Sequence, residues 1–546
     1  MKNLRKDVIE YGIVFLVMLI FAGIFHMDTV KSGFEFFPGD DCDAFLNILA
    51  ADSWSDVFSG KIPFRQNRIY YPFPAGRGFT DLSLSLYLFE LPWRALGAGL
   101  FSSAMIVYQL LFHFGILSML YLLRKVLHLN FAVSIGGAFL CFYSNGCFTK
   151  LLHTQFFFAG LLPLLFICTI RYCQLWSSDK ACKRTVYGVS ALLSFAAIAY
   201  SNYYTAFFFA LAAGIYFIVY AILLAKKQML KKVLLVKRIP EVSALAMLGV
   251  VLFVPFFYTY LPLTTDEYIR VWTAAQGTLP TLADIVNVGP QNLLWGKLYD
   301  ALFPSIHKYV YENQHGLPLI TAGVFIFCLF RYYKERKNFR PAFTALVITL
   351  AVLYVISLKF AHCISLWYFV WKFIPGGSAI RAAGRIYVFM YLPLMVFICY
   401  ILNRCTRVFP RRKQLAICAG LFILLVADNV NTMSIYQWKP SETIAKIKVS
   451  TLPPQEMKCF FVTCSEKAPV NQSNWAMSGL QAWFIARQFS SFTINGYSGN
   501  TPANFSAVDP WEPSYRQNIS EWVKRHSLDG VFSFNIDTGK WQKEHF

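Results

Sequence analysis

Charged residues are scarce in this chain, and acidic residues are the scarcer kind. Only 14% of the 546 residues are Asp, Glu, Lys or Arg, whereas 56% are hydrophobic. Because a soluble domain carries roughly a quarter charged residues, this composition excludes an ordinary soluble protein. Lys and Arg number 50 against 29 Asp and Glu, which leaves a formal net charge of +21.

The chain also lacks the patterns of a metal protein, a repeat protein or a cleaved precursor. Its 13 cysteines are scattered without metal-ligand spacing, and we find no internal repeat. Cys459 and Cys464 are close enough in sequence for a disulfide, but we expect two unpaired thiols. The first apolar stretch has a basic leader but no small-residue cleavage site, so we expect it to remain as a helix.

What the chain does contain is a series of apolar runs, several of them long enough to cross a bilayer as helices. The series predicts a polytopic α-helical membrane protein with about eleven transmembrane helices. The predicted spans cover residues 11–27, 102–123, 131–143, 155–175, 186–200, 203–224, 242–263, 317–330, 342–358, 386–402 and 415–427.

The basic residues are concentrated in every second loop, for example at 226–238, 331–340 and 404–413. This is the positive-inside pattern, so the net charge reflects topology and attraction to anionic lipid, and we expect no nucleic-acid partner. A cytoplasmic amino terminus and an odd number of spans place the carboxyl terminus outside.

The polar, irregular segments then fall on the outer side. We expect a transmembrane domain at 1–428 with outer loops at 28–101 and 264–316. Within the first loop, stretches 44–58 and 81–96 are amphipathic and predict helices along the membrane interface. Residues 429–546 alternate apolar and polar positions in KCFFVTC, FTINGY and GVFSFNI, which predicts a small extracytoplasmic α/β or mostly-β domain.

Three carboxylates are clustered in FPGDDCDAFLN, at Asp40, Asp41 and Asp43. Their mutual repulsion raises at least one pKa unless a cation is near. Such a carboxylate can act as a general base toward an acceptor hydroxyl, or the cluster can hold a divalent cation such as Mg or Mn. The alternative is a solvated turn in which one aspartate caps the helix near Ala44.

Two further polar sets lie at predicted outer helix ends. His153 and Gln155 in TKLLHTQFFF fit either the mouth of a membrane cavity or ordinary packing at a helix start. Arg381 and Arg385 in FIPGGSAIRAAGR are four residues apart, which on a helix puts both on one face. Paired guanidinium groups suit a phosphate or pyrophosphate, and the alternative is that they extend to ordinary lipid phosphates.

The order and placement of several motifs carry a family resemblance that spans nearly the whole chain. The motifs are GDDCDAFLN, YYPFPAGRGFTDLSLSLYLFELP, LLHTQFFFAGLLPLLF, SNYYTAFFFAL, IPGGSAIRAAGR and FTINGYSGNTP. Together they resemble the GT-C superfamily of glycosyltransferases, which use polyprenyl-phosphate sugars. The chain looks most similar to the bacterial YfhO-like and dolichyl-phosphate-mannose mannosyltransferase-like membrane proteins.

The resemblance implies an enzyme of the bacterial cytoplasmic membrane that transfers a sugar on the outer face. The donor is a polyprenyl-phosphate sugar, and the acceptor is a glycan, a lipid or a protein. The catalytic aspartate of the family falls on Asp43, then Asp40, then Asp41 in our order of preference. Arg381 and Arg385 are expected to bind the donor phosphate.

Other motif residues receive supporting roles from the same resemblance. His153 and Gln155, with Asn202 and Tyr203 of SNYYTAFFFAL, are expected to line the cavity. The segment NGYSGNTP predicts a turn, and its alternative role is a lid or acceptor contact. The residues of this segment expected in the lid or acceptor-contact role are Asn495 and Tyr497.

Two other classes of function stay open. A transporter or flippase of lipid-linked oligosaccharides would need polar residues through the bilayer centre and often has inverted repeats, and the sequence has neither pattern. A non-catalytic envelope scaffold would not need both the acidic and the arginine sets.

Overall fold

The structure is a computed structural model that describes residues 2–226, 238–265, 268, 271–302, 304, 311–360, 364–447, 449–464 and 474–546. It is mostly helical, with a small sheet region near the carboxyl terminus. The helices of the first half are α1 Lys2–Phe25, α2 Met27–Lys31, α3 Asp43–Asp52, α4 Trp54–Phe58, α5 Leu84–Ala95, α6 Leu100–Tyr121, α7 Phe131–Tyr143, α8 Asn145–Phe148, α9 Leu162–Gln174, α10 Ala181–Ala199, α11 Tyr203–Lys226 and α12 Ile239–Tyr260.

The second half continues this helical pattern. Its helices are α13 Trp272–Gln276, α14 Gly296–Leu302, α15 Leu319–Glu335, α16 Pro341–Ser357, α17 Trp367–Phe373, α18 Ile386–Thr406, α19 Arg411–Asn429, α20 Pro440–Ala445, α21 Asn474–Gln488 and α22 Tyr515–Arg525. The strands are β1 Lys359–Phe360, β2 Ile364–Ser365, β3 Cys459–Thr463, β4 Phe492–Thr493, β5 Val531–Asn535 and β6 Lys540–Lys543.

Several helices could cross a membrane. Among the described residues, five are long and apolar enough, and a pair bent by 41°, Phe131–Tyr143 with Asn145–Leu152, makes up to six. The five are Leu100–Val126, Thr154–Gln174, Tyr203–Lys226, Ile239–Leu263 and Ala383–Thr406. Each of the eleven predicted segments falls on a helix, but the count of eleven spans stays a prediction.

The first predicted outer loop, residues 28–101, is packed against other parts of the protein. We expected the amphipathic stretch 44–58 to lie along the membrane interface. In the structure it is divided between α3 and α4, and most residues of α3 are buried, including Ala44, Phe45, Ile48 and Ala51. Helix α3 packs against α5, α6 and the later helix α21. The apolar residues of α3 therefore pack between layers of the protein, and a position along the membrane interface stays a prediction.

The carboxyl-terminal segment is an α/β unit, one of the two alternatives predicted. Its four-stranded sheet has the order β4–β3–β5–β6, with β3 parallel to β4 and β5, and β6 antiparallel to β5. Helix α21 connects β3 to β4, and α22 lies between β4 and β5 in sequence. Such crossovers are the usual connection between parallel strands.

The first predicted outer loop is hydrogen-bonded directly to this sheet unit. Thr493 N donates to Arg68 O over 2.8 Å, and Tyr71 N donates to Thr493 O over 3.0 Å. Tyr70 N continues the run to Asn495 O over 3.3 Å. The backbone at residues 68–71 therefore extends the sheet beyond β4 and fixes the carboxyl-terminal unit against the segment that carries the acidic cluster.

Candidate functional site

The site begins with a tight turn at Gly39, just before the three aspartates. Gly39 has φ +89° and donates its N–H to Ile435 O over 2.8 Å. A Cβ at Gly39 would lie 2.8 Å from Ala44 Cβ and 2.8 Å from Leu152 O. Only glycine permits this close approach, which brings the acidic cluster against the segment that carries His153.

Asp40 caps the start of α3 from two residues before the N-cap position, which is Cys42. Its Oδ1 accepts from Cys42 N at 3.1 Å and from Asp43 N at 2.6 Å, as expected for a carboxylate at a helix N-terminus. Partial desolvation, and then the negative charge of Asp43, raise the pKa of Asp40. The capping alternative therefore describes Asp40. Asp41 is exposed, and among the described residues its side chain accepts one long contact, from Cys42 Sγ at 3.8 Å.

Asp43 is held differently. His153 Nδ1 donates to Asp43 Oδ2 over 3.1 Å, and the Asp43 side chain keeps 34% of its surface exposed. Burial raises the pKa of Asp43, but the His153 hydrogen bond and the charges of Arg385 and Arg381 outweigh burial and leave the pKa below its usual range. Asp43 is therefore an ionised carboxylate with one anchored oxygen.

The second nitrogen of the His153 ring, Nε2, contacts a buried ion pair. This nitrogen lies 3.2 Å from Glu312 Oε1 and 3.1 Å from Arg385 Nη2. Arg385 Nε donates to Glu312 Oε2 over 2.9 Å, and Arg385 Nη2 makes a second contact with Oε1. Burial raises the pKa of Glu312, but Arg385 and His153 outweigh it and lower that pKa. The four side chains form one continuous chain: Asp43, His153, Glu312, Arg385.

The two predicted arginines do not share a helix face. Helix α18 begins at Ile386, and Ala383–Arg385 forms only a 3-10 turn, so the four-residue helical spacing does not apply and that prediction is wrong. Arg385 is buried beneath Tyr204, with its guanidinium carbon 5.1 Å from the ring centroid. Arg381 is exposed, and its backbone N–H donates to Tyr204 Oη over 3.1 Å.

The two guanidinium groups consequently differ in availability. Arg385 is matched by Glu312, whereas in the part of the chain that the structure describes no carboxylate pairs with the Arg381 side chain. The charge of Arg381 still reaches the site, since it lowers the pKa of Asp43. Arg381 is thus the cation of this group that remains open to an anionic ligand.

The predicted cavity-lining residues hold the neighbouring segments together. Gln155 Oε1 accepts from Asn47 Nδ2 at 3.1 Å, and its carbonyl accepts from Asn202 Nδ2 at 2.9 Å. Asn202 Oδ1 accepts from Thr205 N at 3.0 Å, which caps α11. Tyr203 Oη donates to Gly376 O over 2.8 Å. These contacts set the walls of the site, and cavity contact with a ligand stays a prediction for all three.

The two predicted lid residues, Asn495 and Tyr497, have different surroundings. Asn495 is 1% exposed, accepts from Val462 N at 2.8 Å and donates to Tyr515 Oη over 2.7 Å, so it stabilises the sheet unit. Burial, followed by the electrostatic influence of Asp43, Cys42 and Asp40, raises the pKa of Tyr497. Of the pair, Tyr497 is therefore the one whose hydroxyl lies within electrostatic reach of the aspartates.

Sequence reasoning missed Glu312 and Tyr204. Glu312 lies in YENQHG, at the end of the second predicted outer loop, and an acidic residue just before an apolar helix on the outer side was the one signal available. Tyr204 follows Tyr203 in a motif already singled out, and a choice between adjacent tyrosines needs the helix orientation.

The predicted divalent cation has no ready ligand set: within the described ranges, no three His, Cys, Asp or Glu side chains come together as a metal site. Chemically, the group offers an ionised carboxylate, a histidine that orients it, and an exposed cation nearby. The chain matches no protein-family model and no curated protein.

Proposed function

We propose that this protein transfers a sugar from a polyprenyl-phosphate donor to an acceptor at the outer face of a bacterial cytoplasmic membrane. The observation that carries the proposal is the pairing of an anchored, part-exposed carboxylate with an exposed, unmatched cation. Asp43 and Arg381 supply those two groups. Apolar helices long enough to span a bilayer provide the setting in which a lipid-linked donor can be reached.

Asp43 acts as the general base. Its lowered pKa keeps it ionised at neutral pH, and the hydrogen bond from His153 to Oδ2 leaves Oδ1 for the acceptor. A positioned carboxylate contributes about 10²–10⁴-fold in such proton transfers. His153 is a positioning residue in this scheme, because its own ring nitrogens are occupied by Asp43 on one side and by Glu312 and Arg385 on the other.

Arg381 binds the donor phosphate. Its exposure and its lack of an ion-pair partner among the described residues favour it over Arg385, whose charge is balanced by Glu312. A guanidinium forms forked, charge-assisted hydrogen bonds with phosphate oxygens, and these strengthen as charge develops on the leaving group.

The transfer step balances without a further reagent. The acceptor oxygen or amide nitrogen bonds to the anomeric carbon while Asp43 takes its proton. The bond between that carbon and the phosphate oxygen breaks, and the electron pair stays on the polyprenyl phosphate beside Arg381. Tyr497, brought by the carboxyl-terminal unit, contacts the acceptor, which is a cell-envelope glycan, lipid or protein.

The test is a transfer assay with the purified protein in vesicles, a labelled polyprenyl-phosphate sugar and envelope acceptor. Asp43→Asn is expected to lower transfer about 10²–10⁴-fold, whereas Asp41→Asn, two positions away and exposed, retains most of it. Full transfer by Asp43→Asn would refute the mechanism. Movement of the labelled lipid across sealed vesicles with no covalent product would instead establish a flippase.

A further inference from the structure

A cavity of about 600 Å³ lies between helices α7, α15, α18 and α19. No side chain of the site around Asp43 lines it. Its walls are almost wholly apolar, as in Leu140, Val324, Ile398 and Leu421. A volume in this range matches that of ligand-binding pockets in general, and the lining admits hydrocarbon rather than a polar ligand.

The cavity is elongated along the helices. Its lining residues Ala132 and Ser144 stand near the two ends of α7, twelve residues apart. A rise of about 1.5 Å per residue gives a length of about 18 Å. One leaflet of a hydrocarbon core that is about 30 Å thick spans roughly 15 Å. The length of the cavity therefore matches the depth to which one acyl chain extends.

The cavity opens sideways to the surroundings of the helices. Three of its lining residues have a large exposed fraction: Phe327 at 46%, Ile417 at 38% and Phe409 at 37%. A chain can therefore enter from the bilayer and does not have to pass through the polar site.

One end of the cavity is basic. Thr406 and Phe409 line that end, next to the exposed residues Arg407, Arg411 and Arg412. Among the described residues, neither Arg411 nor Arg412 has a carboxylate partner. Exposed basic groups beside a membrane helix attract anionic headgroups.

At the opposite end, none of the described lining residues is a cation. Asn429 Nδ2 donates there to Thr321 Oγ1 over 2.9 Å, and Thr321 is bonded in turn to the buried carboxylate of Asp428, at 2.7 Å. A carboxylate at this end opposes an anionic group, so the charge distribution orients the ligand with its headgroup at the Arg411 end.

We infer that this cavity is a binding site for an anionic phospholipid, with one acyl chain between α7, α15, α18 and α19 and the headgroup at Arg411 and Arg412. The site is separate from the proposed transfer reaction and does not depend on it.

The experiment uses the full chain in phosphatidylcholine vesicles with a trace of phosphatidylglycerol that carries a photoactivatable group on its acyl chain. Cross-linked peptides are mapped and quantified. A Cβ at Gly323 meets nothing within 4 Å, and Gly323 lines the cavity, so Gly323→Phe fills it. Gly420 on α19 is equally open but does not line the cavity, which makes Gly420→Phe the matched control.

Cross-linking to α15, α18 and α19 is expected to fall at least fivefold in Gly323→Phe and to stay unchanged in Gly420→Phe. The double variant Arg411→Gln with Arg412→Gln tests the headgroup without touching the core, and it is expected to lower capture of the phosphatidylglycerol probe to that of a phosphatidylcholine probe. Equal labelling of wild type and Gly323→Phe would overturn the inference. So would equal capture of both probes by the wild type, or stronger competition by polyprenyl phosphate than by unlabelled phosphatidylglycerol.

Discussion

The two ends of helix α3 carry opposite kinds of ionic cluster, although the helix is only ten residues long. At the start, Asp43 joins His153, Glu312 and Arg385. At the end, Asp52 pairs with Arg487 of the carboxyl-terminal unit and, over 2.6 Å, with Arg94. We call the cluster at the Asp52 end the clasp; its other members are Asp56, Arg68 and Glu90.

The clasp is closed and balanced. Arg487 contacts both Asp52 and Asp56, Arg68 contacts Asp56 over 2.5 Å, and Arg94 contacts Asp52 and Glu90. Three cations therefore face three carboxylates, and Asp56 and Glu90 are nearly or fully buried. Among the described residues, each of these six side chains has at least one partner of opposite charge.

The Asp43 end is open by comparison. Asp43 keeps a third of its side chain exposed, and Arg381 is exposed nearby. A charged group that is anchored on one side and free on the other is what a reactive site needs. The two clusters therefore differ in solvent access rather than in their number of charges, and the access at Asp43 and Arg381 is what the proposed transfer reaction requires.

The largest expected effect comes from breaking the clasp. Arg487→Met leaves Asp52 without one of its two cations and Asp56 with only Arg68, and loss of one partner from a buried ion pair typically costs about 3–5 kcal/mol. The midpoint of thermal unfolding should fall accordingly, measured with a dye that reacts with buried cysteines such as Cys141 and Cys459.

The control for the clasp is an exposed ion pair in the same unit. Lys458 Nζ lies 2.6 Å from Asp529 Oδ2, and both side chains are mostly exposed. Lys458→Met should leave the unfolding midpoint unchanged, because exposed pairs contribute little. Equal loss in both variants would mean that the clasp is not a structural element.

The next effect separates the two arginines of the open end. Arg381→Gln should raise the KM for the donor about 10–100-fold, as expected from losing one or two charge-assisted hydrogen bonds at about 1.5–3 kcal/mol in total. Arg385→Gln should instead lower kcat and stability together, because Glu312 loses its buried partner. If only Arg385→Gln raised the KM for the donor, Arg385 rather than Arg381 would be the residue that binds the donor phosphate.

The pH dependence of transfer tests the Asp43–His153 contact. The pKa of Asp43 lies below its usual value because of His153, Arg385 and Arg381, so activity in the wild type should be lost only as pH falls through that lowered pKa. His153→Ala removes one of these stabilising groups. The pH at which activity falls on the acid side of the pH–activity profile should then rise by about one unit. If this midpoint is the same in His153→Ala and in the wild type, Asp43 is not the base whose titration controls activity.

Local sequence patterns were enough to predict many elements of the fold. Each predicted span falls on a helix because long apolar runs have few other solutions. The strand-like segments KCFFVTC, FTINGY and GVFSFNI contain three strands of the sheet, β3, β4 and β5. The arginine pair failed because Gly376 and Gly377 in IPGGSAIRAAGR precede an irregular segment, and glycines favour such backbone over helix.

The site was predictable only in part, since its contacts are long-range. His153 and Asp43 are 110 residues apart in sequence, and Arg385 and Glu312 are 73 apart. The acidic cluster and the histidine could be named from the sequence, but the partner Glu312 could not, because no local pattern encodes a contact between distant segments. The clasp has the same origin, since Asp52 and Arg487 are separated by 435 residues.

The smallest expected effect concerns Asp40, which stabilises the start of α3 and also lies beside Asp43. Its Oδ1 accepts from Cys42 N and Asp43 N, so Asp40→Ala removes a helix cap and should cost about 1 kcal/mol of stability. Asp40→Ser restores a capping oxygen without the charge. If Asp40 is only a cap, Ser should recover both the unfolding midpoint and the transfer rate. Recovery of stability without recovery of transfer would mean that the Asp40 charge also acts at the open end, and the catalytic carboxylate would then be a pair, Asp40 with Asp43, set at the free end of α3.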